Sequence, residues 1–469
     1  MGSSERVVAR NFLTLGAGEI IARALSFATS IYLARVLGAD MYGVVGFAMA
    51  VLLYFTRVAD GGLDLVGMRE IAHDRREAER IVAPVFTFRL LASAALTLLL
   101  AGGALAWLPH PDGATLALFG LTLVTIGAST RWVHLGLERS GHASVARMVT
   151  DAVTLLLVLA LVRGPGDVLM VPTATVIGAA LGALLLAWWL GADRPRLIGR
   201  IDWTVLRPLL HRSWPLVGAA LLGLVVYNSD LIALRLIRGT TLAGYYAAAY
   251  VPISLPINLG LTYRMSLLPT LARLGSEPGE QRALYHTALA HVFAAGLPVA
   301  IGGMLLAAPI MRVVFGSEYD AAIPVLRLLV WVVPLSLVRD IPIVALMARG
   351  RESRVLHLTA WAAALNIALN LALIPSFGMM GAAASTVATE AVRMIAALAA
   401  AREEGLALAA PSRFWRATVA GLTMAALLLW LGPVAWWAAI VLGALAYAAA
   451  LTAVGGIRFR AGAWPVLDV

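Results

Sequence analysis

Apolar residues run through this chain in long blocks, broken by short clusters of arginine, acid, glycine and proline. Blocks near the length of about twenty residues that crosses a bilayer recur from end to end. None shows the alternating pattern of a membrane-spanning β-strand. The pattern predicts fourteen helical spans, at 11–37, 42–64, 81–108, 114–137, 143–162, 168–191, 212–237, 241–266, 286–309, 322–348, 354–374, 380–401, 414–431 and 433–453. The leading MGSSERVVAR lacks the small-residue cleavage site of a signal peptide, so the first block reads as a span that is kept. The connections are short, the longest lying around 192–211, and leave no room for a soluble domain. LPHPDG (108–113) and RGPGD (163–167) read as turns.

Arginine sets the orientation. With the N-terminus in the cytoplasm, one inside loop carries Arg69, Arg75, Arg76 and Arg80. A second holds Arg194, Arg196, Arg200, Arg207 and Arg212, and a third Arg349, Arg351 and Arg354. The opposite loops hold few, typified by Arg163, Arg238 and Arg312. This asymmetry is the positive-inside signal, and it places both termini in the cytoplasm.

A weak repeat lies at an offset of 201 residues: LGADMYGVVGFAMAV (37–51) over RGTTLAGYYAAAYVP (238–252), matching Gly38 to Gly239 and Gly43 to Gly244. Six spans separate the copies, so both halves keep the same orientation. The expected architecture is an all-α polytopic membrane protein. Two six-helix lobes, 1–200 and 201–405, are related by a pseudo-two-fold along the membrane normal, and 406–469 adds two helices and a cytoplasmic tail. Such pairs of lobes bind their cargo between them near mid-membrane.

Composition narrows the chemistry. The chain is 61% hydrophobic and 13% charged, too few charges to clothe a soluble surface of 469 residues. It has no cysteine, which removes disulfides and thiolate sites. All 36 basic residues are arginine, so a phosphate loop with its obligatory lysine is excluded. The net charge of +10 reflects cytoplasmic loops rather than a nucleic-acid partner. Neither HExxH nor GxSxG occurs and the eight histidines are scattered, so no catalytic residue, metal site or cofactor is expected.

Charges inside spans are the candidate site, because lipid-facing charge is expensive. Span 1 carries Glu19, Arg23, Ser26 and Ser30 as one stripe. Arg57, Asp60 and Asp64 share a face of span 2, with Gly61 and Gly62 positioned to loosen the helix there. Arg89 starts span 3 close enough to the cytoplasm to snorkel. In the second half stand Asn228 and Asp230, Arg264, the adjacent Arg339 and Asp340, Asn366 and Asn370, and Glu390 with Arg393. Arg23, Arg57, Arg264 and Arg339 are the candidates to bind an anionic headgroup, since the guanidinium fork takes phosphate bidentately at any working pH. Glu19, Asp60, Asp230 and Glu390 are candidates for ion coupling or ion pairing.

RNFLTLGAGEIIARALSFATSIYLARVLGADMYGVVGFAMA (10–50) resembles the first helical pair of the bacterial polysaccharide and O-antigen flippases, of the multidrug/oligosaccharidyl-lipid/polysaccharide exporter superfamily. DGGLDLVGMREIA (60–72), NSDLIALRLIRGTTLAGYYAAAY (228–250), VVFGSEYDAAIPVLRLL (313–329) and LNLALIPSFGMMGAAASTVATE (369–390) continue the resemblance over about residues 10–400. It implies a flippase moving a polyprenyl-diphosphate-linked oligosaccharide (an undecaprenyl carrier, as in O-antigen assembly) to the outer leaflet of the bacterial inner membrane by alternating access. It also implies a V-shaped cavity whose cations hold the diphosphate, with Arg23 and Arg57 matching arginines that related lipid II flippases need. The implied partners are the lipid-linked oligosaccharide, membrane lipids, a coupling H+ or Na+, and other polysaccharide-assembly membrane proteins. Two alternatives stand beside it: a cation-coupled multidrug and toxin extrusion antiporter, and a membrane glycosyltransferase or polymerase using the same lipid-linked sugar.

Overall fold

The computed structural model describes residues 3–191, 195–407, 414–432, 435–458 and 466–467. Arg194, positions 433–434 and most of the expected cytoplasmic tail lie outside the described residues. The chain forms two compact units, one ending at Leu224 and the other starting at Val225.

The first unit contains α1 (Ser3–Asp60), α2 (Leu63–His73), α3 (Glu77–Trp107), α4 (Asp112–Gly127), α5 (Arg131–Gly136), α6 (Ser140–Leu161), α7 (Met170–Trp189) and most of α8 (Trp203–Arg238). The second contains the end of α8, then α9 (Thr240–Arg273), α10 (Pro278–Leu305), α11 (Ala307–Val314), α12 (Ile323–Leu329), α13 (Val332–Ala348), α14 (Glu352–Glu403), α15 (Trp415–Leu431) and α16 (Trp436–Ala453). A two-residue antiparallel pair, Ile457–Arg458 with Val466–Leu467, follows.

Among the described residues, ten helical segments are long and apolar enough to cross a membrane. Two of them, Gly18–His73 and Glu352–Glu403, each hold two expected spans, because Gly38 and Gly378 break the helix inside. The two spans not among the ten are α9 and the 17-residue α15. Over the described residues, each of the fourteen expected blocks is therefore mainly helical. The glycines matched by the 201-residue offset also share a backbone state. Gly38 has φ 68° and ψ 171°, and Gly239 has φ 94° and ψ 177°, a region closed in practice to residues with a Cβ.

In the first unit, α2 is more than a charged boundary. Leu63, Val66 and Ile71 are buried with Ile81, Val85, Trp132 and Leu206 in one apolar core. Gly67 lies flat on Trp132, and a Cβ there would come within 2.6 Å of the ring. Farther along, Gly178 and Gly182, four apart on α7, seat Thr154 and Thr150 of α6, the close small-residue packing that holds helices together where lipid offers no hydrophobic drive. In the second unit α13 is buried along nearly its whole length. The last two helices pack on α10, where Tyr447 donates to the carbonyl of Ala294 at 2.7 Å.

Candidate functional site

The helix breaks position the charges. At the C-terminal end of α1, Gly61 (φ 60°) and Gly62 (φ 67°) turn the chain through the left-handed region, placing Asp60 and Asp64 on either side of the bend. Both carboxylates face one guanidinium. Arg89, 1% exposed, lies 2.7 Å from Asp64 and 3.7 Å from Asp60, and donates to the carbonyls of Ile126 (3.1 Å) and Ser129 (3.4 Å) at the end of α4. The sequence allowed Arg89 to snorkel, but its whole fork is turned inward. It ties the α1–α2 bend to the C-terminal carbonyls of α4, where a cation is favoured.

Glu19 and Arg23 pair at 3.0 Å on consecutive turns of α1, both partly exposed. On α6, Arg147 and Asp151 pair at 2.9 Å, and Ser26 hydrogen-bonds Asp151. Ser30 is turned back on its own helix, donating to the carbonyl of Ser26 at 3.0 Å. Arg57 differs from all of these. Its side chain is exposed and makes neither a hydrogen bond nor an ion pair with any described residue. The three charges expected on one face of span 2 are thus separated, Asp60 and Asp64 being drawn to Arg89 while Arg57 stands apart.

In the second unit, α13 and α14 bring Arg339, Asp340, Glu390 and Arg393 together. Arg339 is buried; it donates to Asp340 at 2.7 Å, to Glu390 at 2.8 Å and to the Tyr227 hydroxyl at 2.8 Å. Glu390, fully buried, also takes Arg393 at 2.5 Å. Both arginines lie by the Tyr227 ring, at 6.0 and 5.8 Å from its centroid. Arg264 of α9 reaches the cluster at its edge, 3.6 Å from Asp340 and a third exposed. Three guanidinium groups meet two carboxylates, an excess of one positive charge.

Asp230 occupies a separate polar pocket of the same unit. It is fully buried and accepts from the hydroxyls of Tyr246 and Thr386, the latter at 2.8 Å, and from the Leu231 amide at 2.8 Å. Beside it Ser229 donates to Asn366 at 2.7 Å, and Asn370 to the same Asn366 oxygen at 3.0 Å. Also on α14, the Asn370 side-chain oxygen and the Ser385 hydroxyl are buried without a hydrogen-bond partner among the described residues. Sequence reasoning singled out Asp230 but missed Tyr246 and Thr386, whose only signal is a hydroxyl within an otherwise apolar span. It also missed Tyr227, and Arg147 with Asp151, an i,i+4 pair in span 5 that was there to be found.

An apolar cavity of about 600 Å³ lies within the second unit, with Phe293, Leu297, Trp331, Val338, Met394 and Phe414 among its walls.

Set against known proteins, residues 8–275 match the family model described as polysaccharide biosynthesis protein, and residues 147–454 match that of the lipid II flippase MurJ. The lipopolysaccharide biosynthesis protein WzxC of Escherichia coli (strain K12) is 27% identical over 175 residues, 34% of this chain; the chain spans 35% of that relative's length. Among solved structures, an inward closed lipid II flippase MurJ superposes with a TM-score of 0.80 at 12% identity, over 94% of this chain and 98% of that one. An inward-facing multidrug resistance MATE transporter gives 0.69 at 16% identity, over 84% and 98%. At such identities these two likenesses speak for the fold alone. With family models matching more than half of its length, the chain belongs to the polysaccharide biosynthesis protein family, among the lipid-linked flippases of the multidrug/oligosaccharidyl-lipid/polysaccharide exporter superfamily.

Proposed function

We propose that this protein carries a polyprenyl-diphosphate-linked oligosaccharide from the cytoplasmic to the outer leaflet of a bacterial inner membrane by alternating access, for cell-surface polysaccharide assembly. It acts as a transporter with both termini in the cytoplasm and makes or breaks no sugar bond. The observation that carries the reading is Arg57, an exposed guanidinium at the end of a membrane helix with no partner among the described residues. With its fork uncommitted, such a guanidinium is free to take an anionic headgroup bidentately. Arg23 in the first unit and Arg264 in the second, each partly exposed and held by a single acid, are the further candidates for diphosphate and sugar. Arg339, with its fork occupied, positions Arg264 through Asp340. The apolar cavity in the second unit supports a cargo with a hydrocarbon part.

Coupling to H+ or Na+ is assigned to Asp230, a fully buried carboxylate held by the Tyr246 and Thr386 hydroxyls rather than by an arginine. Asp60 and Glu390 serve as ion-pair partners. The MATE-like fold favours a second reading, export of soluble organic cations. Native mass spectrometry of the protein extracted from its own membrane separates the two. A co-purifying lipid-linked sugar that disappears in Arg57→Ala supports the flippase. No such lipid, together with saturable ion-coupled uptake of a cationic drug, would replace it with the antiporter.

A further inference from the structure

We propose that the start of α8, with the strand of chain leading into it, is a docking surface for an anionic phospholipid of the cytoplasmic leaflet. The segment is two-faced. Val205, Leu206 and Leu209 are buried in the core built on α2 and α3, while Trp203, Thr204, Arg207, Pro208 and His211 face outward. Trp203, Arg207 and His211 follow at steps of four, one above another, and with Thr204 and Pro208 they line a concavity of about 550 Å³.

The charges of this surface are left uncommitted. Arg196, Arg200, Arg207 and His211 make no hydrogen bond or ion pair with any described residue. The acid among them, Asp202, is turned to the helix start, accepting from the Thr204 amide (2.9 Å) and hydroxyl (2.6 Å). Arg212 alone is neutralised, by Glu70 at 2.7 Å. Large apolar groups stand beside the bare arginines: Ile198 is 72% exposed, Trp203 55% and Trp214 63%. Tryptophan with arginine is the composition of the headgroup layer, where an amphipathic ring meets both hydrocarbon and phosphate. On other loops several arginines are paired, Arg75 with Glu138 and Arg351 and Arg354 with Glu404 and Glu403, whereas the free arginines of the α8 segment stand among exposed tryptophans. A phosphodiester with net negative charge fits the free set, its phosphate on Arg207 and His211 and its glycerol against Trp203. The surface is independent of what cargo the protein moves.

The test is native mass spectrometry of the full chain titrated with phosphatidylglycerol or with phosphatidylcholine of the same acyl chains. Three proteins are compared: wild type, Arg196→Gln/Arg200→Gln/Arg207→Gln, and Arg351→Gln/Arg354→Gln as a control of equal location. The expected result is preferential phosphatidylglycerol binding in wild type, weakened about fivefold for each arginine removed from the α8 segment and unchanged in the control. Because all five positions lie at the surface, folding is checked by the melting temperature, which should stay at the wild-type value. Equal losses in both variants would reduce the effect to diffuse loop charge and overturn the proposal. So would equal binding of the two lipids, or phosphatidylglycerol binding that survives the triple substitution.

Discussion

Replacing Arg339 by methionine separates a positioning arginine from a cargo arginine. The side chain is 6% exposed and makes charge-assisted bonds of 2.7 and 2.8 Å to Asp340 and Glu390, with a third to Tyr227. Methionine fills the volume but leaves Asp340, 12% exposed, with only the distant Arg264, and fully buried Glu390 with only Arg393. Removing one partner of a buried pair costs about 3–5 kcal/mol, and the two remaining arginines bring the expected loss to the low end, about 3 kcal/mol. Adding Glu390→Gln removes the stranded charge and should restore about half of it. The assay is thermal unfolding of the purified protein in detergent, followed by tryptophan fluorescence at one scan rate, beside surface-polysaccharide export in cells. Arg264→Gln is the contrasting variant, with a melting temperature near wild type and export sharply reduced. An Arg339→Met protein that melts like wild type yet fails to export would refute the positioning role and move Arg339 into the cargo site.

Other perturbations reach different links of the account. Gly38→Ala forces a Cβ into a glycine-only backbone state and should cost about 1–3 kcal/mol, seen as a lower melting temperature. Asp230→Asn should leave cargo binding by mass spectrometry intact while abolishing the dependence of transport on an imposed ion gradient. The hydroxyl and amide of Thr204 hold the Asp202 carboxyl below its usual value. A depressed folded-state value means that its stabilisation of the α8 start is present above the unfolded carboxylate value and is lost as pH falls through the folded one. Hydrogen exchange in the first turn of α8 should therefore speed up on acidification below about pH 4, and Asp202→Asn should flatten that response.

Much of the fold was legible because lipid imposes a crude rule: long apolar blocks become helices. The offset that matched Gly38 to Gly239 found two positions with the same unusual backbone, since only glycine serves there. Positions that depend on tertiary partners were harder. Arg89 lies near a helix start, where snorkelling and burial look alike in one dimension; only Asp60 and Asp64, brought round by the bend at Gly61–Gly62, make burial favourable. Arg69 drew the stretch 63–73 towards the arginine-bearing loop, while its value to the fold lies in Leu63, Val66 and Ile71. Of the four arginines expected to meet cargo, sequence alone could not distinguish free Arg57 from engaged Arg339, since that difference is made by Tyr227 and Glu390, 112 and 51 residues away.

The most direct test of the central claim is a leaflet assay in sealed proteoliposomes loaded with a fluorescent polyprenyl-diphosphate sugar and probed by a membrane-impermeant quencher. Wild-type protein should move the lipid between leaflets, and Arg57→Ala, reconstituted at equal density, should fall to the rate of empty liposomes. Transfer by wild type no faster than in empty liposomes, or an Arg57→Ala protein as fast as wild type, would contradict the account.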